Sequence, residues 1–244
     1  MATEPRVTYA LIAINVIAYL AEGTGGKLTA TSGGVLGGTL YDKGALLGSL
    51  PGVSFAGQGV AHGQWWRLIT SGFLHENIVH IGLNMLVLYL LGRMIEPMLG
   101  SLRFAVVYSV SLLAGAFGAL LLSPHTFTVG ASGAIFGIAG AAVVELRARH
   151  ISVMESGIGM LILFNLLFSF TASGISIGGH IGGLIGGALA ALGLQAGERR
   201  RSEALGYAAC AVIAAASVAG GIATAKSSDV GLPAGESVLL APPQ

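Results

Sequence analysis

The chain has 244 residues, of which 54% are hydrophobic and only 9% are charged. Soluble domains carry about 25% charged residues, so this composition excludes an ordinary soluble domain and indicates a polytopic membrane protein. The formal net charge of +1 gives no reason to expect a nucleic-acid partner, and the single cysteine, Cys210, excludes an intrachain disulfide and a thiolate metal cluster.

The first apolar run, residues 7–21, follows a short N-terminal segment, 1–6. A secretory signal peptide is the alternative interpretation, but no small-residue cleavage pattern leads into a soluble body, so we interpret the run as a retained membrane span. Residues 22–72 then lose any sustained hydrophobic period and are predicted to form a long first loop, a feature that is usually functional in a small domain. Near its end stand Trp66 and Arg67, residue types typical of a membrane interface.

Six further apolar runs follow, and each is long enough, or nearly so, to cross a hydrocarbon core of about 30 Å. The fourth and fifth of the seven runs are short. Glycine is abundant, with 39 residues, and in a bilayer small residues let helices approach closely. We therefore predict an all-α polytopic membrane protein with a bundle of about seven transmembrane helices. The six further runs are 78–95, 102–122, 132–146, 157–170, 177–194 and 205–225.

The distribution of arginine predicts the orientation of these spans. Arginine-rich connections such as 199–201 alternate with connections that carry no Lys or Arg, and cytoplasmic loops are enriched in these residues. The N-terminus is therefore predicted to lie in the cytoplasm and the C-terminus outside. The chain then divides into a helical core at 7–197, a basic loop with an extra seventh span at 198–225, and a flexible tail at 226–244.

Ser132 stands at the start of the fourth run, between Gly130 and Gly133. Because neither glycine carries a Cβ, the serine hydroxyl is open to close approach. The preceding residues, 121–126, resemble a turn, which places Ser132 near a helix N-terminus. There the unpaired N–H groups and the positive end of the helix dipole can receive a developing oxyanion, so we hypothesise that Ser132 is a nucleophile.

His180 lies in the sixth run among Gly179, Gly183 and Gly187, a four-residue spacing typical of a close-packing helix face. The fourth run has glycines in the same style, so the two helices are expected to let His180 reach Ser132, as a nucleophile and its general base require. A lone histidine in a span is more often a satisfied core group, but the glycine-flanked serine favours the catalytic interpretation. Glu96, Glu145 and Glu155 are predicted to lie near the cytoplasmic ends, far from Ser132, which leaves a dyad.

Two histidines and an asparagine stand near the start of the second run. His80 and Asn84 are four residues apart and share a helix face, where they could aim two donors at one oxyanion; polar contact with a neighbouring helix is an equal alternative. His75 and His80 are five residues apart, about 140° around a helix, whereas a zinc-binding helix needs a spacing of four. We therefore expect no metal site.

With these residues identified, the chain resembles the rhomboid family of intramembrane serine proteases. The resemblance covers about residues 7–194 and rests on several motifs in the order in which the family has them. The motifs are Trp66-Arg67, His75 with His80-x-x-x-Asn84, Gly92-x-x-x-Glu96-x-x-x-Gly100, Gly130-x-Ser132-Gly133, and His180 followed by Gly183 and Gly187.

The resemblance implies a rhomboid-like bundle with a water-filled cavity and a role for each site residue. Ser132 would attack a substrate carbonyl, with His180 acting first as base and then as acid. His80, Asn84 and the Ser132 backbone N–H would hold the oxyanion. His75 would belong to the polar network around them.

Phe136 departs from the family pattern, because it stands where well-known bacterial members have a tyrosine stacked on the catalytic histidine. A phenyl ring can still pack on His180, but the phenolic hydroxyl is lost. The last span also exceeds the basic six helices of the family and suggests its six-plus-one form, with no role assigned to the extra helix.

The resemblance implies single-pass membrane proteins as substrates, cut in or beside their transmembrane segments. A helical backbone hides its carbonyls in hydrogen bonds, so cleavage there requires local unwinding. No cofactor is expected, and the expected location is the bacterial plasma membrane. The alternatives are a catalytically idle rhomboid-like protein that binds membrane clients, and a small transporter or channel, which would need polar residues along a path across several spans. The sequence leaves the oligomeric state open.

Overall fold

The computed structural model describes residues 4–25, 39–50, 57–171 and 176–229. Over these ranges the chain is helical and has no sheet, although an isolated antiparallel bridge joins Leu46 and Thr128. The helices are α1 (Arg6–Gly25), α2 (Thr39–Gly44), α3 (Arg67–Thr70), α4 (Ile78–Leu99), α5 (Ser101–Leu122), α6 (Ser132–Ala148), α7 (Ile158–Thr171), α8 (Ile177–Arg199) and α9 (Glu203–Asp229).

Each of the seven predicted spans coincides with a long helix, namely α1 and α4 to α9. Four helices of the described chain, α4, α5, α8 and α9, are long and apolar enough to cross a membrane by length and composition. Helices α6 and α7 have 17 and 14 residues, fewer than the roughly 20 that a span needs. The prediction of an all-helical chain with several membrane spans is therefore confirmed, with four candidate spans.

The first loop, predicted as irregular over 22–72, contains short helical pieces. Helix α1 continues to Gly25, beyond the predicted end at residue 21, and α2, α3 and two 3-10 turns follow where the loop is described. No hydrophobic period in the sequence indicates these pieces. They form because contacts with distant parts of the chain hold them in place. Residues 26–38 and 51–56 of the predicted loop, and 230–244 of the predicted tail, lie outside the described residues.

Helices α5, α6 and α8 form the centre of the bundle and meet at backbone contact. A Cβ added to Gly183 of α8 would overlap the carbonyl of Gly133 on α6, and one added to Gly118 of α5 would overlap the carbonyl of Gly178 on α8. Only glycine allows helix backbones to approach this closely. The predicted packing of the glycine faces of the fourth and sixth runs is thus confirmed.

A buried carboxylate joins α1 to α4 and α5. Glu96, which is 1% exposed, accepts hydrogen bonds from the backbone N–H groups of Val7 (3.0 Å) and Thr8 (2.8 Å). It also accepts from the hydroxyls of Thr8 (2.7 Å) and Ser101 (2.6 Å). A negative charge on the unpaired N–H groups at the start of α1 is favourable, so Glu96 ties the first helix to the bundle.

Helix α8 ends in a left-handed turn centred on Arg201, whose φ is 53°. The N–H of Arg201 donates to the carbonyl of Glu198 and that of Ser202 to the carbonyl of Gly197, both at 2.9 Å. These are the two bonds of a Schellman motif, in which glycine is the favoured residue at the left-handed position. The sequence contains abundant glycine but has arginine here.

Replacing Arg201 with glycine is expected to raise the free energy of unfolding by about 0.5–1 kcal/mol, because a Cβ is disfavoured in left-handed backbone. Thermal unfolding in detergent micelles would measure the change. The matched control is Arg200→Gly, since Arg200 has a φ of −91° and glycine gains nothing there. A lower stability of Arg201→Gly than of the native chain would contradict this account.

Candidate functional site

Three helices begin at one end of the bundle, and each has a candidate site residue in its first turn. His80 is near the start of α4, Ser132 is the first residue of α6, and His180 lies in the first turn of α8. Helix N-termini carry unpaired N–H groups and the positive end of the helix dipole. The fold therefore gathers three such ends, which favours a group that develops negative charge.

Ser132 and His180 are in direct contact. Nε2 of His180 lies 2.7 Å from Oγ of Ser132, a hydrogen-bond distance. The ring of Phe136, one turn after Ser132 on α6, is stacked on the His180 imidazole with centroids 4.3 Å apart and planes inclined by 20°. The structure thus brings the predicted nucleophile and base together, with a phenyl ring against the imidazole.

Gly130 lies between His80 and Ser132 and needs to be glycine. Its φ is 123°, in the left-handed region that favours glycine. A Cβ added there would lie 2.7 Å from Nε2 of His80 and 3.7 Å from Oγ of Ser132. The Gly130 N–H donates to the carbonyl of Ser71 at 2.9 Å. The segment before α6 is therefore pinned where an imidazole and a hydroxyl converge.

Asn84 and His75 both lie next to His80, but in different positions. Asn84, one turn along α4, is buried and uses one amide hydrogen to donate from Nδ2 to the His80 backbone carbonyl at 3.0 Å. His75 is buried edge-to-face against the His80 ring, with centroids 5.0 Å apart. Burial, with a contribution from His80, lowers the pKa of His75 to about 4, so His75 is uncharged at neutral pH.

A cavity of about 270 Å³ has Ser132, His180, His80 and Asn84 along its wall. These polar groups share the cavity with a largely apolar lining contributed by α4, α5, α6 and α7. A concave site with an apolar wall and a few converging polar groups is the form expected for a binding or catalytic site. The apolar side chains of the wall include Val79, Leu83, Val87, Leu112, Ile135 and Leu161.

Trp66 and Arg67 lie outside this cavity and organise the first loop. Arg67 is 1% exposed, and its guanidinium donates to Oε1 of Gln64 (2.7 Å) and to the backbone carbonyls of Ala45 (2.6 Å) and Asp42 (2.7 Å). Trp66 is half exposed. These bonds fold the loop back on itself. The bond to Ala45 holds the loop beside Leu46, which lines the cavity.

Two of the carboxylates predicted at the cytoplasmic ends, Glu96 and Glu145, bond to groups outside the cavity. Glu96 is bonded to the start of α1, as described above, and Glu145 accepts from Nε2 of Gln195 at 3.1 Å and lies 3.5 Å from Arg149. Across the described ranges, no group of three or more His, Cys, Asp or Glu side chains is placed to hold a metal ion.

Among the described cavity residues that sequence reasoning missed, Glu76 is the one carboxylate. The available signal is its neighbour Asn77, whose side chain accepts from the His80 N–H at 2.9 Å and so caps α4. A residue just before that cap lies at the end of α4 where the site is built.

Comparison with known proteins places this site within a family. The profile of the Rhomboid domain family matches residues 62–196. The chain is 37% identical over 196 residues to Rhomboid protease GluP of Bacillus subtilis (strain 168), covering 78% of this chain and 36% of that protein. YdcA of the same strain is 39% identical over 122 residues, 48% of this chain and 61% of that protein.

A plant relative matches over a shorter stretch. RHOMBOID-like protein 6, mitochondrial, of Arabidopsis thaliana is 37% identical over 81 residues, which is 33% of this chain and 26% of that protein. This chain therefore spans less than two thirds of the length of each of these relatives. The family profile nevertheless covers more than half of this chain and includes every cavity residue from Ser71 to His180. The chain belongs to the rhomboid family.

Proposed function

We propose that the protein is an intramembrane serine endopeptidase that hydrolyses peptide bonds in or next to the transmembrane segments of membrane-protein substrates. The observation that carries this proposal is the 2.7 Å contact between Nε2 of His180 and Oγ of Ser132 within a largely apolar cavity. Membership of the rhomboid family supports the same class of reaction.

In this mechanism Oγ of Ser132 attacks the scissile carbonyl while Nε2 of His180 accepts the hydroxyl proton. The carbonyl oxygen becomes an oxyanion, stabilised by the Ser132 backbone N–H and by the His80 and Asn84 side chains. His180 then returns the proton to the leaving amine, and the C–N bond breaks to give an acyl-enzyme. Water, deprotonated by His180, attacks the ester and releases the second product.

Phe136 would serve this cycle through its position rather than through hydrogen bonding. Its stacking on His180 restricts the imidazole plane, which keeps Nε2 directed at Ser132. Without a hydroxyl, the phenyl ring cannot donate or accept a conventional hydrogen bond as the imidazole gains and loses its proton. The orientation of the base is therefore the contribution that we assign to Phe136.

We further propose a rhomboid-like bundle in which α1 and α4 to α9 all cross the bilayer. The short helix α6 would be accommodated by burial among its neighbours, whereas α7 presents exposed apolar side chains such as Leu163 and Phe164. Arg147 and Arg149 stand at the C-terminal end of α6, opposite Ser132, and arginine marks the cytoplasmic side. The N-terminus is then cytoplasmic, the C-terminus is outside, and the cavity opens toward the outer face of a bacterial plasma membrane.

The proposal is tested with the purified full chain in proteoliposomes and single-pass reporters that carry a helix-destabilising segment. We expect cleavage that stops after treatment with a fluorophosphonate, a reagent that phosphonylates nucleophilic serine hydroxyls. Mass spectrometry should locate the adduct on Ser132 and leave Ser123, at the exposed end of α5, unmodified as the internal control. A chelator should leave the rate unchanged.

Two outcomes would contradict the proposal in different ways. Cleavage that resists the fluorophosphonate and stops with the chelator would indicate metal-dependent hydrolysis. A folded protein that cleaves none of several reporters but retains them during purification would indicate the alternative function, binding of membrane clients without catalysis.

A further inference from the structure

The catalytic cavity carries one carboxylate. Among the described residues that line it, the ionisable side chains are His80, His180 and Glu76, and none is Lys or Arg. The remaining lining residues are apolar or uncharged. A substrate segment that enters the cavity therefore meets a single fixed charge, and that charge is negative.

Glu76 is held on a rigid support close to the residues that we assign to the oxyanion. It lies between the buried His75 and the helix cap Asn77. The Asn77 side chain accepts from the N–H of His80, which fixes the backbone at the start of α4. The Glu76 side chain is itself exposed, so it is accessible to a bound polypeptide.

Two further carboxylates, Glu22 and Asp42, act on a tyrosine that Glu76 also approaches. The pKa of Tyr41 is raised to about 12, first by burial and then by the charges of Glu76, Glu22 and Asp42. These three carboxylates therefore act on one side chain. Arg67 lies near Asp42 and directs three of its five N–H donors to Gln64 and to the backbone carbonyls of Ala45 and Asp42.

Although its side chain is exposed, Glu76 has lost part of its hydration to neighbouring groups. Desolvation raises its pKa above the ordinary value for glutamate, which means that the carboxylate has lost part of its hydration. A cationic group would restore that lost interaction, whereas a second carboxylate would be repelled.

From this placement we infer that Glu76 forms a subsite for a cationic side chain, so that the enzyme prefers substrates with Lys or Arg close to the scissile bond. The inference rests on the proposed protease function and adds the charge class of its substrates. A membrane-protein substrate with a basic residue beside its apolar segment fits both features of the cavity: the apolar part contacts the apolar wall and the basic residue contacts Glu76.

The test compares single-pass reporters that differ only in having Lys, Gln or Glu at one position, scanned along the residues flanking the cleaved bond. At one or two neighbouring positions, kcat/KM for the Lys reporter should exceed that for the Glu reporter by about tenfold. Glu76→Gln should remove the preference. Glu76→Lys should reverse it, a gain of cleavage of the Glu reporter that an unfolded variant could not produce.

Asp229→Asn is the matched control, because Asp229 is a carboxylate at the end of α9 that pairs with His62 and does not line the cavity. It should retain the full preference for Lys. Loss of the preference in Asp229→Asn would indicate a general effect of net charge and would contradict a subsite at Glu76.

The outcomes separate this inference from the function on which it rests. Cleavage that depends on Ser132 but shows no preference for Lys at any position, or a preference that persists in Glu76→Gln, would overturn the inference and leave the protease function standing. Absence of any Ser132-dependent cleavage would overturn the protease function, and the inference with it.

Discussion

Replacing His180 with alanine is expected to lower kcat for reporter cleavage by about 10⁴-fold, because Ser132 then loses the base in hydrogen-bond contact with its hydroxyl. Ser132→Ala should cost about as much. The double variant should be no slower than either single variant, since the two residues act as one unit and their effects do not add. The KM should change little, because neither side chain is assigned to hold the substrate in the ground state.

The measurement is the cleavage rate of one reporter by each variant in the same proteoliposomes, with thermal unfolding to verify the fold. His125→Ala is the matched control: His125 is an exposed histidine of the loop before α6, bonded to the Ser49 carbonyl at 2.9 Å and outside the cavity. It should cleave at the native rate. A His180→Ala variant within tenfold of the native rate would show that another group takes the proton.

The helices were predictable because each one that packs in the bundle carries a long apolar run. The runs located all seven long helices, since hydrophobic length is a property of the local sequence. The short helices of the first loop were not predictable in this way. They depend on contacts such as the hydrogen bonds from Arg67 to the carbonyls of Ala45 and Asp42, which join residues about twenty positions apart in the chain.

The contact between Ser132 and His180 could be predicted because small residues determine how closely two helices approach. Glycines at four-residue spacing on both runs indicated where α6 and α8 touch, and therefore which polar residues meet. The cavity wall was harder to predict. Glu76 and Leu46 reach it from segments without regular period. The cap at Asn77 and the bridge between Leu46 and Thr128 contribute to their positions.

The backbone conformation of individual residues could not always be predicted from the sequence pattern. Arg201 occupies a left-handed backbone position that glycine would fill with less strain, so no rule based on composition places it there. Gly130 shows the opposite case, since its place before Ser132 was singled out from the sequence and its φ of 123° requires glycine. The presence of a glycine therefore indicates a close approach or a left-handed backbone position. The absence of glycine does not exclude a left-handed position.

Adding one methyl group to Gly183 is expected to separate the catalytic pair without touching it. In Gly183→Ala the new Cβ would overlap the carbonyl group of Gly133, and would lie 3.1 Å from the Gly133 Cα. These are backbone atoms, so the strain is relieved only if α8 moves away from α6. Overpacking of this kind costs about 1–3 kcal/mol of stability.

The same movement carries His180, one turn away on α8, from Ser132, the neighbour of Gly133. Because a misplacement of about 1 Å can cost about 10²-fold in rate, kcat should fall by about that factor, and both kcat and the unfolding midpoint should be measured. Gly82→Ala is the matched control, since a Cβ on this α4 glycine meets no atom within 4 Å and should leave both quantities at or above native values. A Gly183→Ala protein that lost stability but kept its kcat would mean that the glycine contact holds the bundle together without setting the distance between base and nucleophile.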